Sequence, residues 1–274
     1  VKSEELKVQN SIKSIAIGSF DGIHVAHQAL IARAEAVVVI ERNGGYLTPG
    51  YKRTWYVDKP VCFYHFEKIK DLSPQAFVEK LEADFPALEK IVVGYDFSFG
   101  KGREGSVEVL EALFSKEVEV VSEVTVDSVS VHSRTIRNYL KEGDVMMANR
   151  LLGRAYSIDG EVVAGQGLGR EKLVPTLNLK VMHYQLPKEG VYVTTTQIGE
   201  RLYDSVTFLG HRATTDGSFA VESYVIDEDI GKVTGRIFIS FLSFVRPNRK
   251  FDSLEALKIQ IMNDIETAKG ILDG

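Results

Sequence analysis

The chain has 274 residues, 44% of them hydrophobic and 26% charged, the balance of a globular protein long enough for two ordinary cores. Its formal net charge is −5, with no dense Lys/Arg block, which argues against a nucleic-acid or membrane-surface protein. No apolar run approaches the roughly 18 residues that cross a bilayer, so a self-contained transporter or efflux pump is excluded, and Val1 to Asn10 does not have the form of a signal peptide.

The single cysteine, Cys62, rules out an intramolecular disulfide and a multi-cysteine metal site. It sits in an apolar run, where a packed thiol is expected, and a reducing cytoplasm fits this usage. Residues 1–12 read as a polar lead-in. Ser14 to Ile17 predicts a strand, Gln28 to Ala36 a helix, and β-branched Val37 to Ile40 a strand buried on both faces. The segment from Arg42 to Pro60 is rich in turn formers and predicts irregular backbone. Val61 to Phe66 predicts a strand, and Ser73-Pro74 the cap and first position of a helix. A strand at Ile91 to Gly94, a helix at Val107 to Leu113 and one further strand at Val118 to Val126 complete an alternating pattern. That alternation predicts a parallel α/β sheet covered by helices on both faces.

Between the first strand and helix stands Gly18-Ser19-Phe20-Asp21-Gly22-Ile23-His24-Val25-Ala26-His27. A strand-to-helix turn offers backbone N–H groups and a positive dipole end to phosphate, and two imidazoles there can hydrogen-bond phosphoryl oxygens. A second motif, Val93-Gly94-Tyr95-Asp96-Phe97-Ser98-Phe99-Gly100-Lys101-Gly102-Arg103, follows a predicted strand, where such sheets hold ligands. The third, Val131-His132-Ser133-Arg134-Thr135-Ile136-Arg137, precedes a helix through Leu140. A short helix from Val145 to Leu152 follows, and then the pattern changes. Six β-rich runs, at 156–163, 177–182, 191–198, 205–209, 220–226 and 236–245, predict an antiparallel barrel. An amphipathic helix over Ser253 to Leu272, with Asp252 and Glu255 as its capping box, closes the chain.

Taken together these motifs resemble those of the prokaryotic bifunctional riboflavin kinase/FAD synthetases, in order and over nearly the whole chain. The resemblance implies a Rossmann-like nucleotidylyltransferase domain over 1–150 and a riboflavin-kinase-type barrel with a C-terminal helix over 151–274. It implies ATP-dependent phosphorylation of riboflavin to FMN, then adenylylation of FMN to FAD with release of pyrophosphate. In the first half it points to His24 and His27 as catalytic, with Gly18, Phe20, Asp21, Gly22, Asp96, Phe97, Gly100, Arg103, Ser133 and Arg137 binding ATP and FMN. In the second, Val174-Pro175-Thr176-Leu177-Asn178 resembles the kinase's G-F-P-T-A-N, so Thr176 and Asn178 are expected to hold Mg²⁺. Two apart on an extended segment, they point to one face. Gly169, Arg170, Pro175 and Arg246 are expected at the nucleotide or flavin, and Glu222 falls where the family places its general base. Small-molecule flavins and ATP are the expected partners, with neither nucleic acid nor membrane.

The chain departs from the family at Ala26, His132, Arg134, Leu173, Val174, Leu177, Phe208 and Ala213, and it lacks a D-P-H-P-like segment after the second strand. These departures motivate two alternatives: a flavin- and nucleotide-binding regulatory protein that has lost one or both activities, or a nucleotidylyltransferase for another phosphorylated small molecule.

Overall fold

A computed structural model describes residues 10–42, 46–164, 174–214 and 216–274. Gly169, Arg170 and Leu173 lie outside the described residues. The chain folds as two compact units, Val1–Ser133 and Arg134–Gly274.

The first unit is built on β1 (Ser14–Gly18), β2 (Ala36–Glu41), β3 (Val61–His65), β4 (Lys90–Gly94) and β5 (Glu117–Val121). All pair in parallel, in the order β3-β2-β1-β4-β5. Alternation along each strand feeds two cores. Ile15, Ile17, Val38, Ile91 and Val93 pack on one face with Phe77, Leu81 and Leu110, which belong to the helices Pro74–Asp84 and Val107–Leu113. Ala16, Val37, Val39 and Val92 pack on the other with Leu30 and Ile31 of the helix Val25–Ile31. Burial on both faces is why these strands read as continuous apolar runs. The chain leaves β1 toward β2 on one side and returns as β4 on the other, so the crevice at their carboxyl ends is the topological switch point of the sheet.

Ser73 caps the Pro74–Asp84 helix, its hydroxyl accepting from the Ala76 N–H, as the Ser-Pro pair predicts. Three expectations are corrected. The segment before β3 contains a 3₁₀ helix, Gly50–Tyr56, whose Arg53 is almost wholly buried, stacked over Tyr46 and 3.7 Å from Glu41. Val118 to Val126 is not one strand: β5 stops at Val121, and Thr125–Val126 (β6) turns through Asp127 and Ser128, both at positive φ, to pair with Val129–Ser130 (β7). The first helix ends at Ile31, short of Ala36, which belongs to β2.

The second unit holds the helix Val145–Leu152 and six strands: β8 (Tyr156–Val163), β9 (Leu177–Val181), β10 (Gly190–Ile198), β11 (Arg201–His211), β12 (Phe219–Val225) and β13 (Arg236–Pro247). They close into an antiparallel barrel in the order β10-β11-β12-β9-β8-β13. Closure leaves no edge strand. Five fully buried hydroxyls, of Thr194, Thr196, Ser205, Thr207 and Ser223, bond to one another at 2.8–3.3 Å, so these polar groups are satisfied without water. The helix Leu254–Leu272 lays Ile265 and Ala268 on Val191, Val193 and Val206. Its cap is Ser253, whose hydroxyl accepts from the Ala256 N–H, rather than the expected Asp252–Glu255 box.

Candidate active sites

In the first unit, Phe20, Gly22 and Ile23 all have positive φ, which bends the chain sharply between β1 and the helix Val25–Ile31. Left-handed backbone is costly for Phe and Ile, and full burial of both side chains offsets that cost. His24 is the helix N-cap, its Nδ1 accepting from the His27 N–H at 3.3 Å. An accepting Nδ1 leaves the ring proton of a neutral His24 on Nε2, as a donor. The two imidazoles stack with centroids 3.5 Å apart and 17° between planes, and Phe20 meets His27 edge-on. Asp21 is buried and accepts from the backbone N–H groups of Leu47 and Thr48 at 3.2 and 3.0 Å. Its carboxylate thus fixes the segment before the 3₁₀ helix. Ser133 donates to the Asp21 carbonyl at 2.7 Å, tying the third motif to the first.

These groups surround a cleft of about 310 Å³ at the carboxyl ends of β1 and β4. Gly18, Phe20, His24, His27, Asp96, Phe97 and Ser133 line it, as does Ala26. Asp21, Gly22, Gly100 and Arg103 stand outside that lining. A side chain at Gly100 would meet Pro74, and one at Gly105 would meet the Phe99 ring at 2.6 Å, so those glycines shape the loop itself. Arg137 lies one turn along the helix Ser133–Glu142, in the second unit. Sequence reasoning passed over Tyr95 and Glu123 on the rim. Tyr95 donates to Glu123 at 3.2 Å and lies 3.3 Å from His132 Nε2, and the hydroxyls of Ser130 and Tyr95 hold the Glu123 carboxyl below its ordinary value.

The second unit has a cavity of about 670 Å³. Pro175, Thr176, Asn178, Glu222 and Arg246 all line it. Asn178 and Glu222 are direct cross-strand partners on β9 and β12, and such partners share a face. The residue that joins them was not singled out from the sequence. Arg212 donates from Nη2 to Asn178 Oδ1 at 2.7 Å and to Glu222 Oε1 at 2.6 Å. Nothing in sequence spacing marks it, because it folds back from the β11–β12 turn. Arg246 lines the cavity, yet its guanidinium is engaged by Asp264 of the last helix at 2.7–3.1 Å. It therefore clamps that helix to the barrel.

The donors at Thr176 and Asn178 are hydroxyl and amide oxygens, which suit a hard cation. Among the described residues no cluster of three or more His, Cys, Asp or Glu forms a metal cage. Such a set fits Mg²⁺ carried mainly by nucleotide phosphates and water.

Fold and sites define a nucleotide-binding α/β domain in series with a kinase-type β-barrel. A family model for FAD synthetase matches residues 53–135, and one for riboflavin kinase matches 152–272. The bifunctional riboflavin kinase/FMN adenylyltransferase of Pseudomonas fluorescens is 30% identical, over 93% of this chain and 91% of that protein. That of Listeria monocytogenes is 30% identical over 92% and 90%, and that of Escherichia coli K12 27% over 93% and 91%. The chain belongs to the bifunctional riboflavin kinase/FMN adenylyltransferase family. A crystal structure described as a macrolide-efflux protein from Streptococcus pneumoniae shares the fold, with 26% identity, a TM-score of 0.81, and 95% and 96% of the two chains covered. Among the described residues of the present chain no helix is long and apolar enough to cross a membrane.

Proposed function

We propose that the chain phosphorylates riboflavin to FMN in the barrel and adenylylates FMN to FAD in the sheet domain, with residues 1–150 serving the second reaction and 151–274 the first. The observation that carries this reading is the gathering of Thr176, Asn178 and Glu222 around one cavity, while His24 and His27 stack in a separate cleft. Family models matching both halves support it over a regulatory protein or a transferase for another small molecule.

In the kinase step the terminal ribityl hydroxyl attacks the γ-phosphorus of ATP and ADP departs. Glu222 accepts the hydroxyl proton. Thr176 and Asn178 would hold Mg²⁺, which neutralises phosphate charge when bound. In the adenylyl step an FMN phosphate oxygen attacks the α-phosphorus of ATP, the α–β bridge bond breaks, and pyrophosphate leaves. No covalent enzyme intermediate is needed, since the FMN phosphate is already a nucleophile. His24 and His27, at the helix start, bind the phosphate oxygens on which charge builds, and Gly18, Phe20 and Asp96 shape the nucleotide's seat. Asp21 and Gly22 set the bend that presents them. The lone half-buried Cys62, whose thiol is pushed up by burial, fits a reducing cytoplasm.

Incubation with Mg-ATP and either riboflavin or FMN, followed by chromatography, tests the proposal. FMN from the first mixture and FAD from the second are expected. Absence of both products from a protein that binds flavin would overturn it.

A further inference from the structure

We propose that Arg212 is a positioning residue of the kinase reaction, holding Glu222 and Asn178 as one unit; this rests on the reading of Glu222 as base. Three observations converge. Nε and Nη2 both donate to a single carboxylate oxygen, Glu222 Oε1, at 2.9 and 2.6 Å, and Nη2 also reaches Asn178 Oδ1 at 2.7 Å. The guanidinium is itself anchored: Nη1 donates to Ser218 Oγ at 2.7 Å, and Ser218 donates in turn to Asp216. Across the turn the backbone is closed by Arg212 N–H to the Ser218 carbonyl at 2.9 Å. Arg212 and Glu222 are 17% and 24% exposed, so solvent screens the pair only partly.

Among the described residues no hydrogen bond reaches Glu222 Oε2. With Oε1 pinned, Oε2 is the oxygen presented for the ribityl proton. A planar fork can serve two acceptors at fixed angles, whereas an ammonium on a flexible stem cannot. Arg212 therefore sets the direction of the base and the amide together, without touching the reacting atoms.

The test uses the full chain with Arg212→Gln, Arg212→Lys, Glu222→Gln and the Glu222→Gln/Arg212→Gln double variant. Riboflavin phosphorylation is resolved into kcat and KM, riboflavin binding is followed by fluorescence quenching, and FMN adenylylation and thermal unfolding are recorded alongside. Arg212→Gln is expected to lower the kinase kcat about 10- to 100-fold, the usual effect of a lost orienting partner, with riboflavin affinity within about twofold. Arg212→Lys falls between it and the parent, and carries the same test should the Gln variant fold poorly. The double variant is expected to lose much less than the product of the two single losses, because residues acting through one another are non-additive and only the freed Asn178 adds to the Glu222→Gln defect. A parent-like kcat in Arg212→Gln, an additive double variant, or a loss explained wholly by unfolding in both Arg212 variants would overturn the proposal. Full phosphorylation by Glu222→Gln would instead remove the base assignment.

Discussion

His24 accepts the backbone N–H of His27 and lays its ring flat against the His27 ring, so one residue both starts the helix and builds the cleft wall. The two roles separate by mutation. His24→Ala removes a cap worth about 1 kcal/mol, whereas His24→Asn restores a capping oxygen. Both variants, and His27→Ala, are expected to slow FMN adenylylation by about 100-fold or more while riboflavin phosphorylation holds. Only His24→Ala should also lose stability in denaturant unfolding. Equal loss of both activities would contradict separate sites.

Glu222→Gln keeps the shape of the side chain and a carbonyl oxygen for Arg212 but removes the proton acceptor. Kinase kcat is expected to fall about 100- to 10,000-fold, with adenylylation of supplied FMN intact. Assaying each step with its own substrate checks it.

Asp264 is 4% exposed and holds Arg246 through three hydrogen bonds. Asp264→Ala leaves a largely buried guanidinium unpaired, and a loss of about 3 kcal/mol is expected. Urea unfolding of the parent and variant measures it.

Glu189 accepts from the His211 backbone N–H at 3.0 Å, from its ring and from Asn248, and these bonds hold its carboxyl below the ordinary 4.5. A carboxyl depressed on folding stabilises fully above its unfolded value, and that contribution is lost as pH falls through the folded value. The parent should therefore lose stability below about pH 4.5, and Glu189→Gln should flatten part of that acid limb. Thermal unfolding across pH 3–7 reads the difference.

Much of this was legible because local chemistry acted alone. Ser73-Pro74 is a favoured cap and first turn before an amphipathic run, and the helices Val107–Leu113 and Val145–Leu152 have the bounds their periodicity predicts. The three anion-site motifs and the Pro175-Thr176-Leu177-Asn178 stretch were visible as strings, and most of their residues do line the two cavities. Gly100 and Arg103 show the limit, since a glycine-rich string does not tell whether it opens toward a ligand or toward its own Phe99 and Pro74.

By itself, then, the sequence determined the alternation of strands and helices, the change to a β-rich half, and the turn at which His24 and His27 meet a helix start, because each depends on neighbours within a few residues. Only the tertiary structure decided that Arg53 is buried beside Glu41, that Arg246 is engaged by Asp264, and that Arg212 joins Asn178 to Glu222. Those pairings span up to 34 residues, and a long charged side chain takes whichever opposite partner barrel closure or sheet packing brings within 3–4 Å.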